Sequence, residues 1–300
     1  MKIFVTGARG FIGRAFCADA LARGSELLCL TRAGRTGTLP DQPGLRSVEG
    51  DLASPPWREI ERFAPDALLH LAWIATPGEY LDSPVNTQLG EQSKALMSGL
   101  AARGVTHLVA AGTCIEYAAS SEPLSESGSR IAPDAPYSLA KHRLNEWMQQ
   151  REWPPGVVGS WLRIFYPYGP GEHPARLTSA VAARLAAGER VVLRTPGSVK
   201  DFIFVSDLAR AIGCVLESRL AGAVNLGSGR GTSIRTLAER VAEALGAPED
   251  LVEDADDLAV DPRPNVVADV TRLTSTGWKP QVDLREGIER LVRSLAPGPR

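Results

Sequence analysis

Three hundred residues suit one large α/β unit carrying a smaller lobe better than a string of small domains. Apolar residues make up 44% and charged residues 23%, and the formal net charge is −2, so no global basic field draws nucleic acid or an anionic membrane. The four cysteines, Cys17, Cys29, Cys114 and Cys214, form no CxxC pair, which speaks against a zinc cluster or a disulfide framework and for reduced thiols in a cytoplasmic protein.

The opening Met1-Lys2-Ile3-Phe4-Val5-Thr6 is too short in apolar residues for a signal-peptide core, and no run approaches the roughly 20 apolar residues of a membrane span. Residues 2–6 read instead as a buried strand. Thr6-Gly7-Ala8-Arg9-Gly10-Phe11-Ile12-Gly13 follows, and a helix is expected over 11–23, stopping at Gly24. GxxGxxG between a strand and a helix is a dinucleotide fingerprint. Gly7 allows the tight turn, Gly10 lets backbone approach a pyrophosphate, and Gly13 lets helix pack close to strand, while the helix N-terminus offers free N–H groups. Gly7, Arg9, Gly10, Phe11, Ile12 and Gly13 are therefore candidate cofactor ligands. A second strand, 27–31, ends Leu30-Thr31-Arg32, where NAD-preferring proteins usually place an acid for the ribose hydroxyls. No carboxylate is there to repel a 2′-phosphate. Arg32, with Arg35 as a looser candidate, can bind one, so NADP is expected ahead of NAD; a solvated arginine at a strand end is the alternative. After a third strand, 46–50, Asp51-Leu52 can hold the adenine edge, or Asp51 serves only as a turn or cap residue.

Strands expected at 66–71 and 107–111 flank a long amphipathic helix, 86–103, and this alternation implies a parallel sheet with helices on both faces. Thr113 stands just past the second of these strands, at the carboxyl end where doubly wound sheets bind ligands. Tyr137-Ser138-Leu139-Ala140-Lys141 opens a helix, 136–150, behind Pro133 and Pro136, and side chains four apart share a helix face. A tyrosine pKa lies near 10. An ammonium about 5 Å away, at an effective dielectric of about 20, favours the phenolate by roughly 3 kcal/mol, or about two pKa units. Lys141 is thus expected to bring Tyr137 down toward neutrality. A lone YxxxK is common on helix surfaces; with the glycine fingerprint and Thr113 it becomes a proton relay beside a hydride carrier.

The second half is less regular. A strand is expected at 157–164, a turn at 168–171, a helix at 177–188, strands at 191–195 and 202–205, and helices at 206–217, 233–245 and 284–295. The expected division is a dinucleotide-binding domain over 1–165 with returning segments near 200–227, interleaved with an irregular substrate lobe over 166–199 and 228–300, whose tail after 295 frays.

Together these motifs resemble the extended short-chain dehydrogenase/reductase family, also called the NAD-dependent epimerase/dehydratase family, over nearly the whole chain. The resemblance rests on Gly7, Gly10 and Gly13, Asp51-Leu52, His70-Leu71-Ala72-Trp73, Asn86, Thr113, Tyr137 and Lys141. Downstream it includes Leu162-Arg163, Tyr168-Gly169-Pro170, Lys200-Asp201-Phe202, Val205-Ser206-Asp207-Leu208-Ala209 and Asn225-Leu226-Gly227-Ser228-Gly229. It implies a Rossmann-type doubly wound α/β sheet with a smaller C-terminal lobe and a nucleotide-sugar substrate. It also implies cofactor contacts at Leu71, Ala72, Trp73, Tyr137 and Lys141, no metal, and a homodimer through helices 86–103 and 136–150. Members that dehydrate hexoses place Asp-Glu directly after the catalytic hydroxyl residue. This chain has Cys114-Ile115 there, so a 4,6-dehydratase is not expected. Glu116, one position late, is a hydrogen-bond acceptor either close behind the site or in the core. Where the family commonly has a substrate-contacting asparagine two residues before Tyr168, this chain has Tyr166. Arg263 resembles an arginine that pairs with the sugar diphosphate, and Arg176 is a second candidate for the same anion; a surface position is the alternative for each. His173 is expected as a turn residue and His70 as a strand-end hydrogen-bonding group. The implied reaction is reduction of a nucleotide-linked 4-keto-6-deoxyhexose by NADPH with Tyr137 as proton donor. A 4-epimerase with tightly held NAD and a non-catalytic NADP(H) sensor are the alternatives.

Overall fold

Apolar runs of four to seven residues become strands here because both of their faces are covered, which is the usual state of a parallel sheet. The computed structural model describes residues 1–32, 39 and 42–295; Arg35 and the tail from 296 lie outside them. The elements of the first half are β1 (Lys2–Thr6), α1 (Phe11–Ala22), β2 (Glu26–Thr31), β3 (Leu45–Glu49), α2 (Trp57–Phe63), β4 (Ala67–His70), α3 (Val85–Ala101), β5 (His107–Thr113), α4 (Pro136–Gln150) and β6 (Val158–Ile164). The second half adds β7 (Tyr166–Tyr168), α5 (Leu177–Ala186), β8 (Val191–Leu193), β9 (Val199–Phe204), α6 (Val205–Ser218), β10 (Gly222–Leu226), β11 (Gly231–Ser233), α7 (Ile234–Leu245), β12 (Val252–Asp254), β13 (Asn265–Val266), α8 (Thr271–Thr274) and α9 (Leu284–Leu295).

Seven parallel strands form the main sheet in the order β10-β6-β5-β4-β1-β2-β3. Successive side chains point to opposite faces. Ile3, Val5, Leu27, Cys29 and Leu69 pack with Phe16 of α1 and Leu208 and Ile212 of α6. Phe4, Leu28, Leu30 and Leu68 pack on the other face with Leu96, Met97 and Leu100 of α3 and Leu144 of α4. This is the doubly wound Rossmann arrangement. The order in which strands are added switches sides at β1, which has β2 on one side and β4 on the other, so a crevice opens beyond the carboxyl ends of β1 and β4.

The smaller lobe pairs β9 with β7, β11 and β13, and β8 with β12. Its core joins Tyr168, Phe202 and Phe204 to Val181 and Leu185 of α5, Leu237 and Val241 of α7, and Ile288 and Leu291 of α9. The returning stretch near 200–227 divides. β9 belongs to the small sheet, whereas α6 and β10 pack on the main one. Leu273 and Trp278, from the stretch expected in the lobe, also join the main core. Helix α2 and strand β10 carry no expectation from the sequence. The extended Tyr166–Tyr168 precedes the expected turn and pairs with Phe202–Phe204. Among the described residues, no helix is long and apolar enough to cross a membrane.

Candidate active site

The glycine turn is shaped for an anion by backbone alone. Gly7 has φ +76°, and a Cβ there would lie 2.7 Å from the Ala72 nitrogen, so both its dihedral and its neighbour demand glycine. A Cβ on Gly13 would lie 2.2 Å from the Gly7 carbonyl oxygen, which shows how closely α1 is drawn against the turn. The Gly10 N–H donates to that same carbonyl at 2.9 Å. Helix α1 has Gly10 at its N-cap, no side-chain cap and no acid in its first turn, so its orphan N–H groups and positive dipole end face the crevice. These residues fit a dinucleotide pyrophosphate. Phe11 and Ile12 are half-buried in the first turn, and Arg14 fastens the region by donating to the carbonyls of Arg9 at 2.9 Å and Gly171 at 3.1 Å. Arg32 is exposed directly after β2. Asp51 is exposed and accepts the Ser54 N–H at 2.7 Å, a turn role, while Leu52 is buried among the residues facing α3 and α4.

His70 is a structural group, and its tautomer follows from its partners. Ser93 Oγ donates to the Leu89 carbonyl at 2.6 Å, so His70 Nε2 carries the proton and donates to Ser93 at 2.8 Å. Nδ1 then accepts from the Thr6 hydroxyl at 2.8 Å, and that hydroxyl accepts the Ala72 N–H at 3.2 Å. Burial, helped by the charge of Lys141, pushes the imidazole down to about 3. The chain therefore holds Leu71 and Ala72 beside Gly7 with a neutral histidine.

Thr113, Tyr137 and Lys141 come together at the carboxyl end of β5. Tyr137 is half-buried at the first turn of α4. Its N–H donates to the Leu81 carbonyl at 2.9 Å, and its ring meets Tyr80 edge-on at 4.9 Å. The Thr113 hydroxyl hydrogen-bonds to the phenol. Lys141 is 2% exposed; its Nζ donates to the Ala111 carbonyl at 2.7 Å and lies 5.9 Å from the Tyr137 ring centroid. The expected lowering of the phenol pKa is reversed. Burial, reinforced by Tyr80 and Glu116, pushes Tyr137 above its ordinary value, against the hydrogen bond from Thr113 and the charge of Arg176. Burial also brings Lys141 down to about 7, opposed by Glu116. An ammonium lowers a neighbouring pKa only while it is charged, and desolvation outweighs the Coulomb attraction that spacing alone suggests.

Behind the trio lies a buried charge pair. Glu116 is fully buried and accepts the Thr113 N–H at 3.0 Å, Trp161 Nε1 at 2.9 Å and Arg163 Nε at 3.1 Å. Arg163 also donates to the Tyr117 hydroxyl at 2.9 Å, which donates to Asn225 Oδ1 at 2.8 Å. Glu116 is thus the core acceptor that fixes the strand end, and every carboxylate contact is satisfied from protein. Cys114 is buried and pushed up to about 12 by that burial, so it is no acid at neutral pH.

On the lobe side, Tyr166 is half-buried, 5.9 Å ring to ring from Phe202, and burial together with Cys114, Asp261 and Tyr80 raises its pKa. Arg263 donates from Nε to the Tyr117 carbonyl at 3.2 Å and pairs through Nη2 with Asp134 at 2.6 Å. Arg176 leans elsewhere: it donates to the Ala75 carbonyl at 3.4 Å, and its guanidinium sits 5.5 Å from the Tyr80 ring. The two arginines expected on one diphosphate therefore rest on different segments, with Arg176 at the Tyr80–Tyr137 end. His173 is exposed and accepts the Ala175 N–H at 3.1 Å, a turn role. Among the described residues, no group of three His, Cys, Asp or Glu side chains is arranged to hold a metal ion.

Sequence reasoning missed Tyr80 and the side-chain contacts of Trp73. Trp73 Nε1 donates to Asn86 Oδ1 at 2.8 Å, and Asn86 Nδ2 donates to the carbonyls of Tyr80 at 2.7 Å and Ser83 at 2.9 Å. Residues 73–86 follow no helix or strand period, so the only signal was Asn86 itself, a polar residue that α3 buries completely.

The model of the NAD dependent epimerase/dehydratase family matches residues 3–227. A dTDP-glucose 4,6-dehydratase of Streptomyces antibioticus is 27% identical over 97% of this chain and 91% of its own length. A UDP-glucuronic acid decarboxylase of Xenopus tropicalis is 26% identical over 97% of this chain and 71% of its own. Among solved structures, the UDP-glucose 4-epimerase of Thermus thermophilus in complex with NAD is 29% identical, with a TM-score of 0.82 over 99% of this chain and 100% of that one.

Proposed function

The chain belongs to the NAD dependent epimerase/dehydratase family, and on that premise we propose that it is an NADP-dependent reductase of a nucleotide-linked 4-keto-6-deoxyhexose. When bound, the nicotinamide would supply the hydride for the sugar C4. Tyr137 donates the proton to the forming alkoxide, Thr113 orients that oxygen, and Lys141 binds the ribose hydroxyls. Cofactor contacts fall to Gly7–Gly13, Arg32, Asp51-Leu52 and Leu71–Trp73, and substrate contacts to Tyr166, Arg176 and Arg263. The observation that carries the reading is the end of β2, where Thr31 is followed by the exposed Arg32 and no acidic residue closes the strand. A dissociable NADPH suits net consumption of reducing equivalents. Dehydration is disfavoured because Cys114-Ile115 supply no carboxyl after Thr113, and Glu116 is committed to Arg163.

The second reading is a nucleotide-sugar 4-epimerase, favoured by the 29% identity to the Thermus enzyme with its NAD. A sensor without turnover fits poorly with Thr113, Tyr137 and Lys141 gathered at one strand end. We place the protein in the cytoplasm, where free thiols such as those of Cys17, Cys29, Cys114 and Cys214 stay reduced. We assign the homodimer contact to α3 and α4, whose cleft is lined by Gly90, Lys94, Leu139 and Arg143. The test is stoichiometric: nicotinamide absorbance is followed while the sugar product is quantified. One NADPH consumed per reduced sugar supports the reductase. Conversion of a UDP-hexose to its C4 epimer without net change in that band overturns it.

A further inference from the structure

A buried ammonium has three N–H donors to satisfy, and Lys141 directs one to the Ala111 carbonyl. A second contact is unusual. Lys141 Nζ lies over the Trp73 ring, 3.7 Å from its centroid, inside the range where the negative face of an indole attracts a cation. That ring is held in place: its Nε1–H is bonded to Asn86, and Asn86 holds the Tyr80 and Ser83 carbonyls. Tyr80 in turn packs edge-on against Tyr137, whose N–H is bonded to Leu81. Residues 73–86 therefore form a strap that sets one aromatic ring on the amine and another on the phenol, with Asn86 between them.

We propose that Trp73 is a positioning residue for the proton-transfer pair, its indole face being the seat of the Lys141 ammonium and its tie through Asn86 to Tyr80 placing amine and phenol from a single strap. This rests on the reading of Tyr137 and Lys141 as the groups that move and hold the proton. The charged and titratable groups facing Lys141 are few. Glu116, in the turn after β5, favours its charge, His70, at the end of β4, stays neutral, and Tyr137 shares its helix. Burial, opposed by Glu116, brings the amine to a pKa of about 7. Removing an attraction that acts only on the charged form moves that value further down.

The test titrates Lys141 directly. In the purified full-length protein, lysine side-chain NMR resonances are followed against pH, with Lys141 assigned through Lys141→Arg. In the wild type, the Lys141 Cε protons should be shifted upfield by the indole ring current; their absence from the upfield region overturns the seat whether or not any variant folds. Trp73→Leu should lower the Lys141 midpoint by about one pH unit or more, and Trp73→Phe, which keeps a ring face, by a few tenths at most. The alkaline limb of kcat/KM should follow the same order. An unchanged midpoint in Trp73→Leu, or an equal shift in Trp73→Phe, overturns the proposal. A shifted midpoint with an unmoved alkaline limb leaves the seat standing and overturns the proton-transfer reading instead.

Discussion

Around Gly7–Gly13 the groups offered to a ligand are backbone N–H groups set by one turn and one helix start. Around Tyr137 they are side chains carried in from Trp73 to Arg263. The first region is limited by shape: an added methyl on Gly13 meets backbone, and no titratable group decides its behaviour. The second is limited by the burial of charge, with Lys141 brought to about 7, Tyr137 pushed up, and Glu116 held beneath Arg163. Cofactor binding and proton transfer should therefore fail separately, to different substitutions and with different pH dependence.

Tyr137→Phe should separate them most widely. Turnover of a nucleotide keto-sugar should fall by about 100- to 10,000-fold, the usual worth of a positioned proton donor. The cofactor dissociation constant, read by fluorescence titration, should change little. Retention of more than about a tenth of wild-type turnover would place the proton donor elsewhere. Glu116→Ala leaves the Arg163 guanidinium buried without its carboxylate. It should cost about 3–5 kcal/mol of stability in a denaturant titration. A loss under about 1 kcal/mol would mean that the strand end holds Thr113 without the pair.

Gly13→Ala tests the shape-limited region. The methyl must displace the Gly7 carbonyl, at a cost of about 1–3 kcal/mol. Dinucleotide affinity should weaken, while the pH profile of residual turnover keeps its wild-type midpoints; a shifted midpoint would show that the two regions are coupled after all. The smallest effect is expected at the rim. Arg32 is exposed, so Arg32→Ala should narrow the preference for NADPH over NADH by up to about fivefold. Equal affinities for the two dinucleotides in the wild type would remove the case for NADP and favour the epimerase reading.

The strand–turn–helix of Lys2–Ala22 was legible because every requirement in it is local: an apolar run, a glycine at positive φ, and a helical period that begins at Phe11. Thr113 and the Tyr137–Lys141 pair were legible for the same reason, one from a strand end and the other from one helical turn. Strand β10 was not. Its five residues begin with a glycine at φ +79° and bury Val224, Asn225 and Leu226, a pattern that becomes a strand only by pairing with β6. Helix α2 is seven residues long and too short for a periodic signal.

Spacing also placed Lys141 one turn from Tyr137 but gave the wrong direction for the phenol, because the direction depends on burial. Burial dominates both shifts, and the groups that add to or oppose it, Tyr80 and Glu116, are remote from the YxxxK element in sequence. The chain by itself determines conformations that neighbouring residues can enforce, namely the glycine turn, the helix starts and the order of strands and helices. The tertiary structure decides which charges lose their water, since that depends on surfaces brought together from distant segments. It therefore decides whether the carboxylate of Glu116 serves the core, which aromatic ring receives the Lys141 amine, and which of two arginines stands beside the Tyr137 phenol.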